Sequence, residues 1–148
     1  MKERTLLLIK PDAVGRGLIG AITGRIEQKG LVVAALKLLT MTRAQAETLY
    51  APHKGKGFYE PTVQYMTSGP IVAMVLRGFD VISEVRALMG ATNPRDAAPG
   101  SIRGDFGQRV DRNCVHGSDS PESAQREIPI FFSGEELQDH SPVASQWI

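Results

Sequence analysis

Three apolar runs, at residues 5–9, 31–41 and 71–76, constrain this chain more than any other feature. Runs of this length bounded by turn residues read as buried or half-buried strands. The segments between them follow a different period. Lys10-Pro11 closes the first run, because proline withdraws a donor, and Leu18, Ile19, Ile22 and Ile26 then keep helical spacing up to a stop at Lys29-Gly30. The second run is interrupted only by Lys37, and Thr42-Arg43-Ala44-Gln45 after it has the form of a capping box opening a short helix that ends before Pro52. Residues 61–67 allow one or two further helical turns. The third run follows Ser68-Gly69-Pro70 and stops at Gly78. Asp80 is expected to cap a helix with the stripe Val81, Val85, Leu88 and Met89, ended by Gly90.

From Ala91 to Asn113 no apolar period is visible, and structureless loops of that length are usually functional or disordered. Residues 114–116 fit a short fourth strand. Ser120-Pro121-Glu122 supplies a cap and an N1 proline for a helix carrying Ala124, Ile128 and Phe131, which Pro129 should kink or end. The order predicts an α+β chain with a ferredoxin-like βαββαβ core: a four-stranded antiparallel sheet with added helices. A doubly wound α/β sheet would want more strands and crossovers. With 148 residues, one domain is expected. Its acidic end, residues 133–148, finishes on Trp147-Ile148 and reads as a docking tail.

The composition is 42% hydrophobic and 22% charged, that of a folded domain, with a formal charge of +1. Attachment to membrane or nucleic acid by overall charge is excluded. The sum hides an asymmetry: residues 1–49 carry +4, 50–116 carry +2 and 117–148 carry −5. An anion site should lie before position 117. The single cysteine, Cys114, reads as a buried thiol suited to a reducing compartment, and the run ending at Ile9 is too short for a signal core or a membrane span. Cytoplasmic location is the expectation.

Gly15-Arg16-Gly17-Leu18-Ile19-Gly20 matches GxGxxG, but four residues separate it from the preceding strand and no acid ends the next strand to hold a ribose. Loop and cap roles explain these glycines. No GxxxxGK[ST] occurs, so phosphate would have to be held without a P-loop. On one strand Cys114 and His116 would lie about 6–7 Å apart, too far to share a proton, and no spacing supports a zinc site. His116 ends a short strand, followed by Gly117, Ser118 and Asp119 and, further on, Glu127. Gly permits close approach of a phosphate, and these acids and the hydroxyl could orient the ring. On these features alone, a structural histidine and a reacting one fit equally well.

The stretch Asn113-Cys114-Val115-His116-Gly117-Ser118-Asp119-Ser120 resembles the active-site signature of nucleoside diphosphate kinases. Ile9-Lys10-Pro11-Asp12, Ser68-Gly69-Pro70, Met89-Gly90-Ala91-Thr92-Asn93-Pro94, the segment from Pro99 to Phe106 and Arg126-Glu127-Ile128 resemble the same family in order and spacing. The resemblance implies an enzyme that moves the γ-phosphate of a nucleoside triphosphate to a nucleoside diphosphate by a ping-pong route, with His116 as the phosphorylated nucleophile. The residue type suits the task. Imidazole is a competent nucleophile near neutrality without a separate base, and a phosphohistidine stays as energetic as an anhydride.

By the same resemblance, Lys10, Arg86, Thr92 and Arg103 are phosphate ligands, and Tyr50 lies near the phosphates and His116. Asn113 joins Lys10 at the ribose 3′-hydroxyl, Phe58 and Val110 flank the base, and Ser118 and Glu127 support the histidine. Stacking reads a π-face, so broad use of bases is implied. Mg²⁺ would arrive mainly on the nucleotide phosphates, with no direct protein ligand and Asp119 as a water-mediated contact. Two departures, Thr62 beside the base slot and Cys114 at a usually β-branched position, leave the phosphoryl chemistry untouched, whereas the glycine-rich stretch 54–57 bears on the lip before Phe58. The loop and tail imply a homohexamer made from dimers, with a tetramer as the alternative. A nucleic-acid module on the same sheet is disfavoured, because the three apolar runs contain no Phe, Tyr or Trp for a stacking platform.

Overall fold

The computed structural model describes residues 3–148; Met1 and Lys2, at the charged start of the chain, lie outside it. Four strands, β1 (Glu3–Ile9), β2 (Val32–Thr40), β3 (Pro70–Gly78) and β4 (Val115–Gly117), form one sheet in the order β2-β3-β1-β4, antiparallel at every pairing. Helices α1 (Pro11–Gly15), α2 (Ile19–Gln28), α3 (Arg43–Leu49), α4 (Tyr59–Met66), α5 (Val81–Met89), α6 (Ile102–Phe106) and α7 (Pro121–Phe131) complete the ferredoxin-like α+β architecture.

The two faces of the sheet carry separate cores, because side chains alternate along β1 and β3. Leu7, Ile9, Val72, Met74 and Leu76 meet α2 and α5 through Ile22, Ile26, Val81 and Val85. Leu6, Leu8, Ile71, Ala73 and Val75 meet α3, α4 and the end of α7 through Ala46, Leu49, Val63, Met66 and Phe131. Burial on both faces is why these strands read as continuous apolar runs. Each large aliphatic side chain removed from water stabilises the fold by about 1.5–3 kcal/mol before entropy is counted.

The local rules hold where they act on neighbours. Thr42 Oγ1 accepts the Gln45 N–H at 3.1 Å and Gln45 Oε1 accepts the Thr42 N–H at 3.0 Å, a complete capping box. Ser120 accepts the Ser123 N–H at 3.1 Å, with Pro121 opening α7. Elsewhere the structure departs from the expectations. Pro11 closes β1 and at once opens α1, so the stretch before α2 is helical. Helix α4 begins at Tyr59, before Pro61, which its first turn accommodates. Asp80 makes no side-chain cap: it sits at φ 53°, and the Ile82 N–H donates to Glu3 Oε1 instead, at 3.0 Å. The long loop holds α6, capped by Ser101, because five residues are too few to display a period. Pro129 lies inside α7, which runs on to Phe131. Cys114 stands outside β4, since its φ of 75° is incompatible with a strand.

Past α7 the chain returns to the sheet. The Gln138 N–H donates to the Ala34 carbonyl at 2.8 Å, Lys37 Nζ lies 2.8 Å from Glu136, and the buried Arg77 guanidinium bonds Asp139 and the His140 carbonyl. Trp147 and Ile148 remain exposed, with Ile148 lying over Gly30. Gly90, at the end of α5, has a φ of 84°, and a Cβ there would stand 2.4 Å from Ser101 Oγ. Gly90→Ala therefore combines backbone strain with a collision against the cap of α6. It should destabilise the protein by about 2 kcal/mol and lower its melting temperature by about 4–8 °C in a calorimetric scan.

Candidate active site

His116 occupies the middle of β4, opposite Leu8 of β1, and its side chain is 21% exposed. Three residues of backbone pairing thus seat it at the sheet, and Gly117 after it admits α5 closely: a Cβ there would lie 2.5 Å from Met89 Sδ. The ring is held from behind. Its Nε2 lies 2.9 Å from Glu127 Oε1, the Ser118 hydroxyl donates to the same oxygen at 2.8 Å, and Arg126 Nη2 lies 3.3 Å from the other. Glu127 is almost fully buried on the same face of α7 as Ala124 and Phe131. A carboxylate oxygen can only accept, so Nε2 carries the ring proton and Nδ1 keeps its lone pair. The Tyr50 ring meets the imidazole edge-on, with centroids 6.0 Å apart. Its hydroxyl is buried without a partner, and burial, reinforced by the charge of Glu127, raises its pKa and keeps the phenol neutral.

Cations from distant segments share this field. Lys10, following β1, donates from Nζ to Asn113 Oδ1 at 2.8 Å, and Asn113 Nδ2 donates to the Thr92 carbonyl at 3.0 Å. Burial, then the charge of Arg103, lowers the Lys10 pKa to about 8. Arg103 is itself buried, its guanidinium donating to the carbonyls of Asn113 at 3.2 Å, Gly90 at 3.1 Å and Val115 at 2.7 Å. Burial and then Arg86 lower its pKa to about 10. Arg86 projects, exposed, from α5.

Phe58 and Val110 are half-exposed on two surface segments. Phe58 precedes α4, with the His53 ring 5.2 Å away and Lys56 Nζ 5.8 Å from its centroid; Val110 lies in a turn bridged by Arg109 and Arg112. Asp119 is exposed at the entry to α7, and the Ser123 hydroxyl at 2.6 Å, ahead of the Arg86 charge, holds its carboxyl below the usual range. Among the described residues no three acids, histidines or cysteines are grouped to hold a metal. Mg²⁺ draws most of its six oxygens from phosphate and water in such sites, and the ionised Asp119 fits an outer contact of that kind.

Sequence reasoning assigned no role to Asp12, Tyr65 or Arg112, which form one cluster. Tyr65 bonds the Asp12 carboxylate, Asp12 Oδ2 accepts the Cys114 N–H at 3.1 Å, and Arg112 lies 3.9 Å over the Tyr65 ring. No local pattern signals contacts spanning 53 and 102 residues. Cys114 itself is buried, and burial raises its thiol pKa to about 11.

A histidine with one free nitrogen, in the edge strand of a ferredoxin-like sheet next to the buried Arg103, is suited to handling phosphate. Residues 3–137 match the family model described as nucleoside diphosphate kinase. The chain is 55% identical over 146 residues to a nucleoside diphosphate kinase of Halalkalibacterium halodurans, covering 99% of both chains, and 53% identical to one of Archaeoglobus fulgidus, covering 99% of this chain and 97% of that one. The fold matches a halophilic nucleoside diphosphate kinase of Halobacterium salinarum, solved in complex with CDP, with a TM-score of 0.96 and 46% identity over 99% of this chain and 98% of that one. A family protein of Babesia bovis gives 0.95 at 39% identity over 98% of each. The chain belongs to the nucleoside diphosphate kinase family, whose activity is phosphate transfer between nucleotides.

The Lys10 shift makes a pH prediction. Between about 8 and the ordinary lysine value the unfolded chain holds a proton that the folded site has lost, so this group's contribution to stability grows with pH across that window. The site meanwhile loses positive charge. Affinity for a nucleoside diphosphate, measured by calorimetry from pH 7 to 9.5, should fall with a midpoint near or somewhat above 8, and Lys10→Met should bind more weakly throughout and lack that midpoint.

Proposed function

We propose that this enzyme transfers the γ-phosphate of a nucleoside triphosphate to a nucleoside diphosphate in two half-reactions through a phosphorylated His116. The observation that carries the reading is the accessible imidazole whose Nε2 is tied to buried Glu127, which leaves Nδ1 as the nucleophile. In the first half-reaction the Nδ1 lone pair forms a bond to the γ-phosphorus as the bond to the β–γ bridging oxygen breaks, and the nucleoside diphosphate leaves. A second diphosphate then takes the phosphoryl group from nitrogen by the reverse step. Glu127 keeps the Nε2 proton throughout, so its charge opposes the positive charge that phosphorylation places on the ring. Ser118 and Arg126 hold the carboxylate still.

Rate then comes from charge and position around the moving phosphoryl. Lys10, Arg86, Arg103, Thr92 and Tyr50 are the phosphate-side groups in this reading. Arg103 still has two of its five N–H groups to offer beyond its three carbonyl bonds. Asn113 and Lys10 take the sugar hydroxyl, and Phe58 and Val110 take the two faces of the base. Apolar contact without base-edge hydrogen bonds gives broad specificity. Bound Mg²⁺ would neutralise phosphate charge, with Asp119 reaching it through water.

With γ-labelled ATP and Mg²⁺ the protein should acquire an acid-labile, base-stable label. His116→Ala should lose it entirely, and label persisting in that variant would overturn the assignment. Glu127→Gln, which frees the ring to take either tautomer, should slow labelling by a factor on the order of 10².

We also propose a cytoplasmic homohexamer in which residues 133–148 act as a docking tail. Sedimentation equilibrium should give a mass near six chains; a mass near four would favour the tetramer.

A further inference from the structure

We propose that Asp12 and Tyr65 are positioning residues that tie the lip of the base site to the strand of the nucleophile. The inference rests on the phosphohistidine reading above. Tyr65 lies in the last turn of α4, the helix that Phe58 precedes. Its phenol oxygen accepts the Asp12 N–H at 2.8 Å and donates to Asp12 Oδ1. The other carboxylate oxygen accepts the Cys114 N–H at 3.1 Å, and the Cys114 carbonyl in turn accepts the Lys10 N–H at 2.8 Å. Asp12 thus joins three segments: the start of α1, the end of α4 and the peptide two residues before His116.

Chemistry and geometry agree on a clamp rather than a passive contact. Cys114 holds a φ of 75° without being glycine, a conformation that persists only when its surroundings over-determine it. The carboxylate on its N–H is one such determinant. It aims the preceding residue so that Asn113 Oδ1 meets Lys10 and Asn113 Nδ2 meets Thr92. Burial and Asp12 together keep the Tyr65 phenol protonated, hence a donor, and Arg112 caps its ring from outside. The nucleoside is therefore gripped at its sugar by Asn113 and Lys10 and at its base by Phe58, and Asp12–Tyr65 sets the distance between these grips. His116 has its own support in Glu127 and Ser118, outside the clamp.

This separation makes the test selective. Tyr65→Phe keeps the ring beneath Arg112 and removes the hydroxyl alone. Asp12→Asn leaves one oxygen to accept from either Cys114 or Tyr65 but not both. For each variant kcat/KM with ATP should fall about tenfold, chiefly through KM, and the double variant should lose no more than the worse single one. Labelling of His116 by phosphoramidate, a phosphoryl donor with no nucleoside, should stay within twofold of the parent protein in Tyr65→Phe. Unchanged kinetics with ATP, or an equal loss with phosphoramidate, would overturn the positioning role while leaving the histidine mechanism intact. Absence of label on His116 in the parent protein would overturn both.

Discussion

The buried guanidinium of Arg103 is the constraint on which the site depends. Its three bonds, to the carbonyls of Gly90, Asn113 and Val115, fasten the end of α5, the entry to β4 and α6 around one charged group. A buried arginine is costly to desolvate unless its donors are satisfied, and here backbone carbonyls satisfy them without cancelling its charge. The result is a cation whose field is not quenched by a carboxylate. Burial first, and that field second, lower the Lys10 pKa to about 8.

The acidic end of the chain is spent elsewhere. Glu136 meets Lys37 on the edge strand and Asp139 meets Arg77 at the end of β3. Of the six acids after position 116, Glu127 holds the imidazole, while Asp119 and Glu122 stand at the entry to α7. A chain of net +1 can therefore bring Lys10, Arg103 and Arg86 within reach of one another's charge, because the fold groups residues that the sum merges.

What was legible in the sequence was what neighbours decide. The apolar runs became β1, β2 and β3, the capping box at Thr42 closed as written, and Ser120-Pro121 opened α7, since each rests on contacts within a few residues. Asp80 was misread because a residue 79 positions from Ile82, Glu3, supplies the acceptor. Helix α6 was invisible because five residues carry no period. For the site, residue type suggests that Ser118, Asp119 or Glu127 could orient the ring; Glu127 does so with Ser118 bonded to the same oxygen, whereas Asp119 bonds Ser123 instead. That Arg103 would face carbonyls, and that Asp12 would bridge α4 and Cys114, depends on tertiary closure over distances no local rule spans.

Cys114 stands two residues from His116, yet the fold makes its thiol inaccessible. A thiol reacts as its thiolate and only where reagents can reach it, and this one is fully buried with its pKa raised to about 11. Alkylating agents and peroxides should leave the native protein unmodified at this position, although the sulfur lies in the same segment as His116. The same left-handed turn at Cys114 that lets Asn113 reach Lys10 also keeps that sulfur within the core, so one backbone conformation both places a polar contact and shields a thiol.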